Sequence, residues 1–416
     1  MKYRIDCICD LNKSSLTNKD RLNDILYLDT SSITMNRISE LQTIKIIDAP
    51  SRAKRKVKDK TIIYSTVRPN LKHFGILTCP KENMVVSTGF TTIDVKKEFR
   101  NEISAEYLYY LLTNQSITDY LATKAESAVS SYPSINPSDI GELTFSFPEI
   151  KIQEAVVNSI SPIDQKIALN TRMNAELEAM AKQLYDYWFV QFDFPDENGN
   201  PYKSSGGKMV YNSTLKREIP AGWEDCEIKD IAEVVNGATP LTTNPDNYGN
   251  AIIWITPNDL SNQKSKFVSC GERSITQNGY DSCSTTLMPA GSVLMSSRAP
   301  IGLMAIAEVE LCTNQGFKNF VPFDMTDNYF IYYYVKEHMS QVEQLGAGTT
   351  FREVSRDTIL KFPILKISDR ELYSKWYEHI DSICKEQKNL LLQTRNLTHL
   401  RDSLLPMLMN GQVTVE

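Results

Sequence analysis

Two stretches of the chain place mainly apolar residues at steps that alternate between four and three. The first runs Ile163, Ile167, Asn170, Asn174, Leu177, Ala181, Leu184, Trp188; the second runs Trp376, Ile380, Ile383, Gln387, Leu390, Thr394, Leu397, Arg401, Leu404. Such spacing keeps every named position on one helical face, the seam of a heptad. The first seam covers about 26 residues, or roughly 39 Å of helix at 1.5 Å per residue. Ser161 is the expected N-cap, with Pro162 at the first helical position. Asn410-Gly411 marks the end of the second helix. Lys151–Ile160 and Ile367–Tyr373 lead into the seams. The polar positions (Asn170 and Asn174 in one seam, Gln387 and Thr394 in the other) weaken a coiled coil but fix its register and partner. Two helices of matching length and matching interruption are natural partners, and if the two halves of the chain are related by a two-fold the pair is antiparallel. The alternative, a surface helix on a globular core, also gives this spacing but explains the asparagine pair less well.

Outside the seams the pattern is that of short strands and aromatic helices, and it occurs twice. Thr61-Ile62-Ile63-Tyr64-Ser65-Thr66 leads into Val67-Arg68-Pro69, and Ser292-Val293-Leu294-Met295-Ser296-Ser297 leads into Arg298-Ala299-Pro300. Each is followed by a Gly-Phe pair (Gly89-Phe90, Gly316-Phe317), then by an aromatic stretch (Tyr107–Leu112, Tyr329–Tyr334). A polar loop comes next (130–134 around Tyr132, 348–352 up to Arg352), then a strand ending in proline (Phe145–Pro148, Lys361–Pro363), then a long helix. A shared order of so many parts predicts an α+β chain with two similar domains, separated by a long antiparallel two-helix coiled coil and related by a pseudo-two-fold. The expected boundaries are 1–150 for the first domain, 151–190 for the first helix, 191–223 for a connector, 224–366 for the second domain and 367–416 for the second helix and tail. The connector is rich in Asp, Asn, Gly, Pro and Ser, and is either an ordinary linker or, through Phe192, Phe194, Tyr202 and Trp223, pinned against protein.

Composition narrows the chemistry. With 41% hydrophobic and 23% charged residues the chain is of ordinary globular make-up, with no long apolar run for a membrane and no secretory h-region after Met1. Its cysteines are scattered without zinc-site spacing, so reduced thiols and a cytoplasmic location are expected. The net charge of −6 argues mildly against nucleic acid, but Arg52, Lys54, Arg55, Lys56, Lys58 and Lys60 gather around a single acid, Asp59; this is either a phosphate-binding patch or a solvated loop. No phosphate loop is present, so ATP hydrolysis is not expected. Asn136-Pro137-Ser138-Asp139 approaches the base-gripping motif of adenine methyltransferases but lacks its second proline and aromatic. Pro195-Asp196 and Glu227-Ile228-Lys229 have the letters of a nuclease separated by a long loop, and the histidines form no triad. No catalytic or metal-binding residue is expected.

The chain resembles the specificity subunits of type I restriction–modification systems. The resemblance is strongest over Leu169–Glu178, Leu184-Tyr185-Asp186-Tyr187-Trp188-Phe189, Phe192-Asp193-Phe194-Pro195, Pro201–Gly207 and Ile219-Pro220-Ala221-Gly222-Trp223, and it extends to Ser65–Pro69 and Thr313–Phe317. It implies a non-catalytic DNA-binding protein whose two target-recognition domains each read one half of a bipartite site in double-stranded DNA. It further implies that the helices set the half-site spacing and dock two methyltransferase subunits, to which two translocating endonuclease subunits can add. No cofactor is implied on this chain; S-adenosylmethionine, ATP and Mg would serve the partner subunits. The first domain lacks the long lead-in that the second has between Trp223 and Trp254, which leaves open a contribution from the chain's end near 413–415.

A rod of about 40 Å matches roughly 12 base pairs, close to one helical turn, which places two readers on the same side of the duplex. The expected DNA contacts are Arg52, Lys54, Arg55, Lys56, Arg68 and Lys72 in the first domain, and Arg298, Asn314, Gln315, Lys318 and Arg352 in the second, because cations position on phosphate while Arg, Lys, Asn and Gln read base edges. Ser131-Tyr132 and Thr350-Phe351 occupy matching loops. The alternatives are that Arg68 and Arg298 pin turns and that Asn314 caps one. The competing function is a coiled-coil scaffold that binds protein and not DNA.

Overall fold

The computed structural model describes residues 1–17, 20, 22–127, 132–263, 265–298, 300–347 and 352–412. It divides into two compact units, Met1–Arg172 with Leu391–Glu416, and Met173–Leu390.

In the first unit the central sheet has four antiparallel strands in the order Cys9–Leu11, Phe90–Val95, Thr61–Ser65, Phe74–Leu77. Thr61–Ser65 and Phe90–Val95 are buried at every position, because both faces are covered. Alternation along the strand divides the work: Ile62 and Tyr64 join a core with the aromatic helix Ala105–Leu112, while Ile63 faces the opposite core with Leu28, Met84 and Val86. That second core belongs to another sheet, ordered Gln42–Lys45, Asp24–Leu28, Met84–Ser87, Ala53–Lys56, whose middle pair is parallel. Lys2–Arg4 pairs with Thr144–Ser146, so the chain's start and the strand before the first long helix lie side by side. Leu408 is buried in the same core as Ile5, Leu108 and Ile160, with Leu404, Leu405 and Met409 packed against it.

The second unit repeats this order. Its central sheet runs Ala232–Asn236, Lys318–Pro322, Val293–Met295, Met304–Ala307, Phe267–Val268, and its second sheet runs Ser274–Ile275, Tyr248–Ile255, Cys312–Thr313. Phe90 opposite Ser65 in one unit corresponds to Phe317 opposite Ser296 in the other. Glu224–Glu227 pairs with Pro363–Lys366 as Lys2–Arg4 does with Thr144–Ser146. The chain is α+β, and the parts recur in the expected order. The units differ at their edges: the first adds Ala53–Lys56 to its second sheet, and the second adds Phe267–Val268 to its first.

Two long helices, Ile150–Tyr185 and Arg370–Met409, contribute to both units. The first begins well before Ser161, so Ser161 is not its N-cap and Pro162 lies inside it. Pro162 is exposed, as is Asn158 one turn back, so the carbonyl that loses its partner can be solvated instead. Asp369 starts the second helix by accepting the Leu372 N–H at 2.9 Å. Gly411, at φ 67°, follows its end, as expected.

Ile167, Asn170, Ala181, Trp188, Trp376, Ile380, Gln387 and Leu390 are buried, while Ile163, Asn174, Leu177, Leu184, Ile383, Thr394, Leu397 and Leu404 are half-buried. Within the first unit Asn170 Nδ2 donates to Gln393 Oε1 at 3.3 Å and Arg401 Nη1 to Asp164 Oδ1 at 3.1 Å. Within the second, Gln387 Nε2 donates to Asn174 Oδ1 at 3.0 Å, and the rings of Phe189 and Trp376 meet edge to face at 4.9 Å. Later residues on one helix thus meet earlier ones on the other, and in each unit the two segments run antiparallel.

The connector is anchored. Phe194 stacks on Trp223 at 5.1 Å and on Tyr202 at 4.8 Å, and the Arg217 guanidinium covers Phe192 at 4.5 Å. Among the described residues no helix is long and apolar enough to cross a membrane, and no group of His, Cys, Asp or Glu could hold a metal.

Candidate nucleic-acid interface

In both units one end of the buried central strand is tied to two other segments by the same hydrogen bonds. Thr66 N–H and Oγ1–H donate to Gly89 O at 2.9 and 3.0 Å, and Thr66 O accepts Ile135 N–H at 2.9 Å. In the second unit the Ser297 N–H and Oγ–H donate to Gly316 O at 2.7 and 3.2 Å, and Ser297 O accepts Val354 N–H at 3.0 Å. Each strand end thereby collects the Gly-Phe turn and the loop after the aromatic helices. Loops gathered at one end of rigid strands are where binding residues are commonly held.

In the first unit this end presents cations. Arg68 is exposed in the left-handed region, at φ 47°, with its N–H held by Pro133 O at 3.0 Å and no side-chain partner among the described residues. Arg52 joins the cluster because its carbonyl accepts Thr88 N–H at 2.8 Å. Its side chain is 58% exposed, yet Nη2 reaches Asp29 at 2.9 Å and Nε reaches the Tyr27 hydroxyl at 3.2 Å. Lys54 is exposed on the edge strand Ala53–Lys56. Its neighbours are engaged: Arg55 Nη1 donates to Asn12 O and Ser15 Oγ at 3.4 Å, and Lys56 pairs with Asp20 at 2.5 Å. That lysine, with the Thr17 N–H and hydroxyl, holds the Asp20 carboxyl down to about 2. Lys72 donates to Gln115 Oε1 at 2.7 Å. Tyr132 is half exposed beside Pro133; Ser131 lies outside the described residues.

The second unit arranges its polar groups more tightly. Arg298 Nη2 donates to Gln315 O at 3.0 Å and lies 3.6 Å from Glu353. Gln315 is exposed, its side-chain oxygen accepting the Thr239 hydroxyl. Arg352 is exposed. Two expected contacts are used internally. Asn314 Oδ1 accepts Gly316 N–H at 2.9 Å, capping the turn. The Lys318 side chain is 8% exposed and pairs with Glu353 at 3.2 Å; it lies on a central strand, where a cation needs a carboxylate close by. Thr350-Phe351 lie outside the described residues. Glu353 itself, Arg356, whose Nε donates to Val234 O at 2.5 Å, and Thr239 were not foreseen. The pairs are far apart in sequence and no local motif announces them. Gly237 had a signal in Asn236-Gly237-Ala238-Thr239-Pro240: a Cβ there would stand 2.1 Å from Asn314 O, so only glycine lets the two turns touch.

The segments that carry this architecture match a family model described as the type I restriction modification DNA specificity domain, over residues 1–179 and 220–365. The chain belongs to that family. Both strand-end assemblies of this specificity-domain protein fall within the matched residues, and much of the connector falls between them. Among curated relatives, the specificity subunit of the type I restriction enzyme HindI from Haemophilus influenzae is 26% identical, with 94% of each chain covered. The specificity subunit of the type I restriction enzyme MjaIX from Methanocaldococcus jannaschii is 37% identical over 41% of this chain and 40% of its own. Among solved structures, the S subunit of a type I restriction–modification system from M. genitalium shares the fold with a TM-score of 0.58 at 13% identity, covering 98% of this chain and 95% of that one.

Proposed function

We propose that this chain is the DNA-sequence-recognition subunit of a type I restriction–modification complex, with each domain reading one half of a bipartite site. The observation that carries the reading is the repeated strand-end assembly, Thr66–Gly89–Ile135 and Ser297–Gly316–Val354, in a chain of the specificity-domain family. Two equivalent platforms on one chain suit two half-sites. Arg52, Lys54, Arg68 and Lys72 in the first platform, and Arg298, Gln315 and Arg352 in the second, are placed to meet phosphates and base edges. Arg55 and Lys56 stiffen the edge strand beside them. Asn314 and Lys318 act behind the surface, shaping the turn that presents Gln315 and Arg298.

The two long helices form the antiparallel coiled coil of a pseudo-two-fold molecule, set the half-site spacing and dock two methyltransferase subunits, to which two endonuclease subunits can add. The chain itself is non-catalytic and works in the cytoplasm; S-adenosylmethionine, ATP and Mg serve its partners. The test is selection of a randomised duplex library by the chain co-expressed with its methyltransferase partner. Two short motifs at a fixed separation near one helical turn, with affinity falling steeply as salt rises, are expected. Recovery without a motif, and insensitive to salt, would overturn the reading in favour of a protein-binding scaffold.

A further inference from the structure

Each unit contains a polar cluster that ties its aromatic helix to the long helices. In the first, the Tyr110 hydroxyl donates to Asp164 Oδ2 at 2.8 Å, and the other oxygen of Asp164 accepts Arg401 Nη1 at 3.1 Å. In the second, the Tyr333 hydroxyl donates to Glu178 Oε2 at 3.2 Å, and the same carboxylate receives Lys266 Nζ at 2.8 Å and Gln387 Nε2 at 3.3 Å. Lys266 also reaches the Tyr333 hydroxyl at 2.9 Å and Cys384 Sγ at 3.4 Å, and lies 5.2 Å from the Phe267 ring centre. The form recurs although the residues differ: a tyrosine of the aromatic helix, a carboxylate of the first long helix, and a cation close by.

Lysine is rarely buried, yet the Lys266 side chain is only 5% exposed. Replacing a buried ion pair by packed apolar groups is often neutral or stabilising, so such a cluster is poor evidence for stability and better evidence for a defined geometry. Hydrophobic contacts tolerate a helix sliding or turning, whereas a carboxylate that must meet a hydroxyl, an ammonium and an amide at hydrogen-bond distance does not. The surroundings are suited to such a clamp. Tyr185, Phe330 and Trp376, all buried, form a broad apolar seat around it that would otherwise permit several dockings.

We infer that Tyr333–Glu178–Lys266, and Tyr110–Asp164–Arg401 in the other unit, are positioning residues that fix each recognition domain's angle on the helices and so sharpen the discrimination between half-site spacings. The inference rests on the recognition reading above. The experiment uses the chain with its methyltransferase partner and duplexes carrying the selected motifs at the preferred spacing and at one base pair more or less. Lys266→Met combined with Glu178→Leu keeps the volume and removes the buried ion pair, leaving the half-exposed Lys336, 3.6 Å from Glu178 in the parent, to solvent. The expected result is a preserved preference for each half-site, a melting temperature unchanged or lower by a few degrees because the Tyr333 hydroxyl loses both partners, and a preference for the correct spacing reduced about tenfold. Tyr333→Phe, which removes one hydroxyl and leaves the ion pair, is expected to give a smaller loss in the same direction, and it decides the matter if the double variant does not fold. A spacing preference as sharp as the parent's in the folded variant overturns the clamp while leaving recognition intact. A parent that selects no two-part motif overturns recognition and the clamp together.

Discussion

Changing Arg68 to glycine separates what its side chain does from what its backbone does. Arg68 stands at φ 47°, ψ 67°, directly before Pro69. A residue with a Cβ is strained there by about 1–2 kcal/mol, while glycine's greater freedom in the unfolded chain takes back about 0.5–1 kcal/mol. The side chain is exposed and makes no ion pair among the described residues, so no internal electrostatic contact is lost. Arg68→Gly should therefore be as stable as the parent or up to about 1.5 kcal/mol more so, equivalent to a midpoint higher by up to about 3–6 °C in a unit of this size. If the guanidinium meets a DNA phosphate, its removal makes the slope of log affinity against log salt shallower by about 0.9. Thermal melts, with titrations of the selected duplex at several salt concentrations, measure both. A midpoint lowered by several degrees with an unaltered salt slope would show that Arg68 pins the turn and does not touch DNA.

Gly237→Ala forces a Cβ to within 2.1 Å of Asn314 O and is expected to cost about 1–3 kcal/mol; library selection should show the second unit's motif degraded and the first unit's intact. Asp20→Asn tests the Lys56 pair: the folded carboxyl, near 2, lies below its unfolded value of about 3.9, so its contribution is complete above about pH 4 and disappears as pH falls through about 2. The stability difference between variant and parent in denaturant titrations should therefore be present at pH 7, much reduced at about pH 2 and gone only below it. Alkylation followed by mass spectrometry should modify Cys7, Cys79 and Cys270 in the native protein and spare Cys9, Cys312 and Cys384. Burial has pushed the Cys9 thiol up to about 12 and the Cys312 thiol up to about 11; labelling of native Cys384 would contradict the contact between Lys266 and the second long helix.

The long helices were legible because burial on a helix leaves a period, and the seam residues that carry it are buried or half-buried. The period did not reveal the helix's start, since Ser161-Pro162 has the form of a cap yet sits where the chain is already helical. Tyr185, Phe189, Tyr373 and Cys384 were missed because the apolar face is wider than a strict seam. The repeated order of strands was readable from Ile62–Tyr64 and Val293–Met295, but the second sheets were not. Their pairings, such as Leu26 beside Met84 in parallel, join segments far apart, and no local pattern specifies such a partner. At the candidate interface, residue type alone does not tell an exposed arginine such as Arg68 from a buried lysine such as Lys318. The charge of Lys318 suggests a phosphate contact, whereas its place on a central strand commits that charge to Glu353.

The first unit is discontinuous, and this bears on how the polypeptide matures. Its core closes around Leu408, with Leu404 and Leu405 packed alongside, and these leave the ribosome after everything in Met173–Leu390. At about 5–20 residues per second the first half waits roughly 10–40 s for the segment that finishes it, whereas the second half is one uninterrupted stretch, complete at Leu390, and waits for nothing made later. During that interval Ile160 and Leu108 lack a neighbour they have in the native core, which makes the half synthesised first the one in greater need of a chaperone. A nascent chain released early, just after Leu390, would carry a sound second half and a damaged first one.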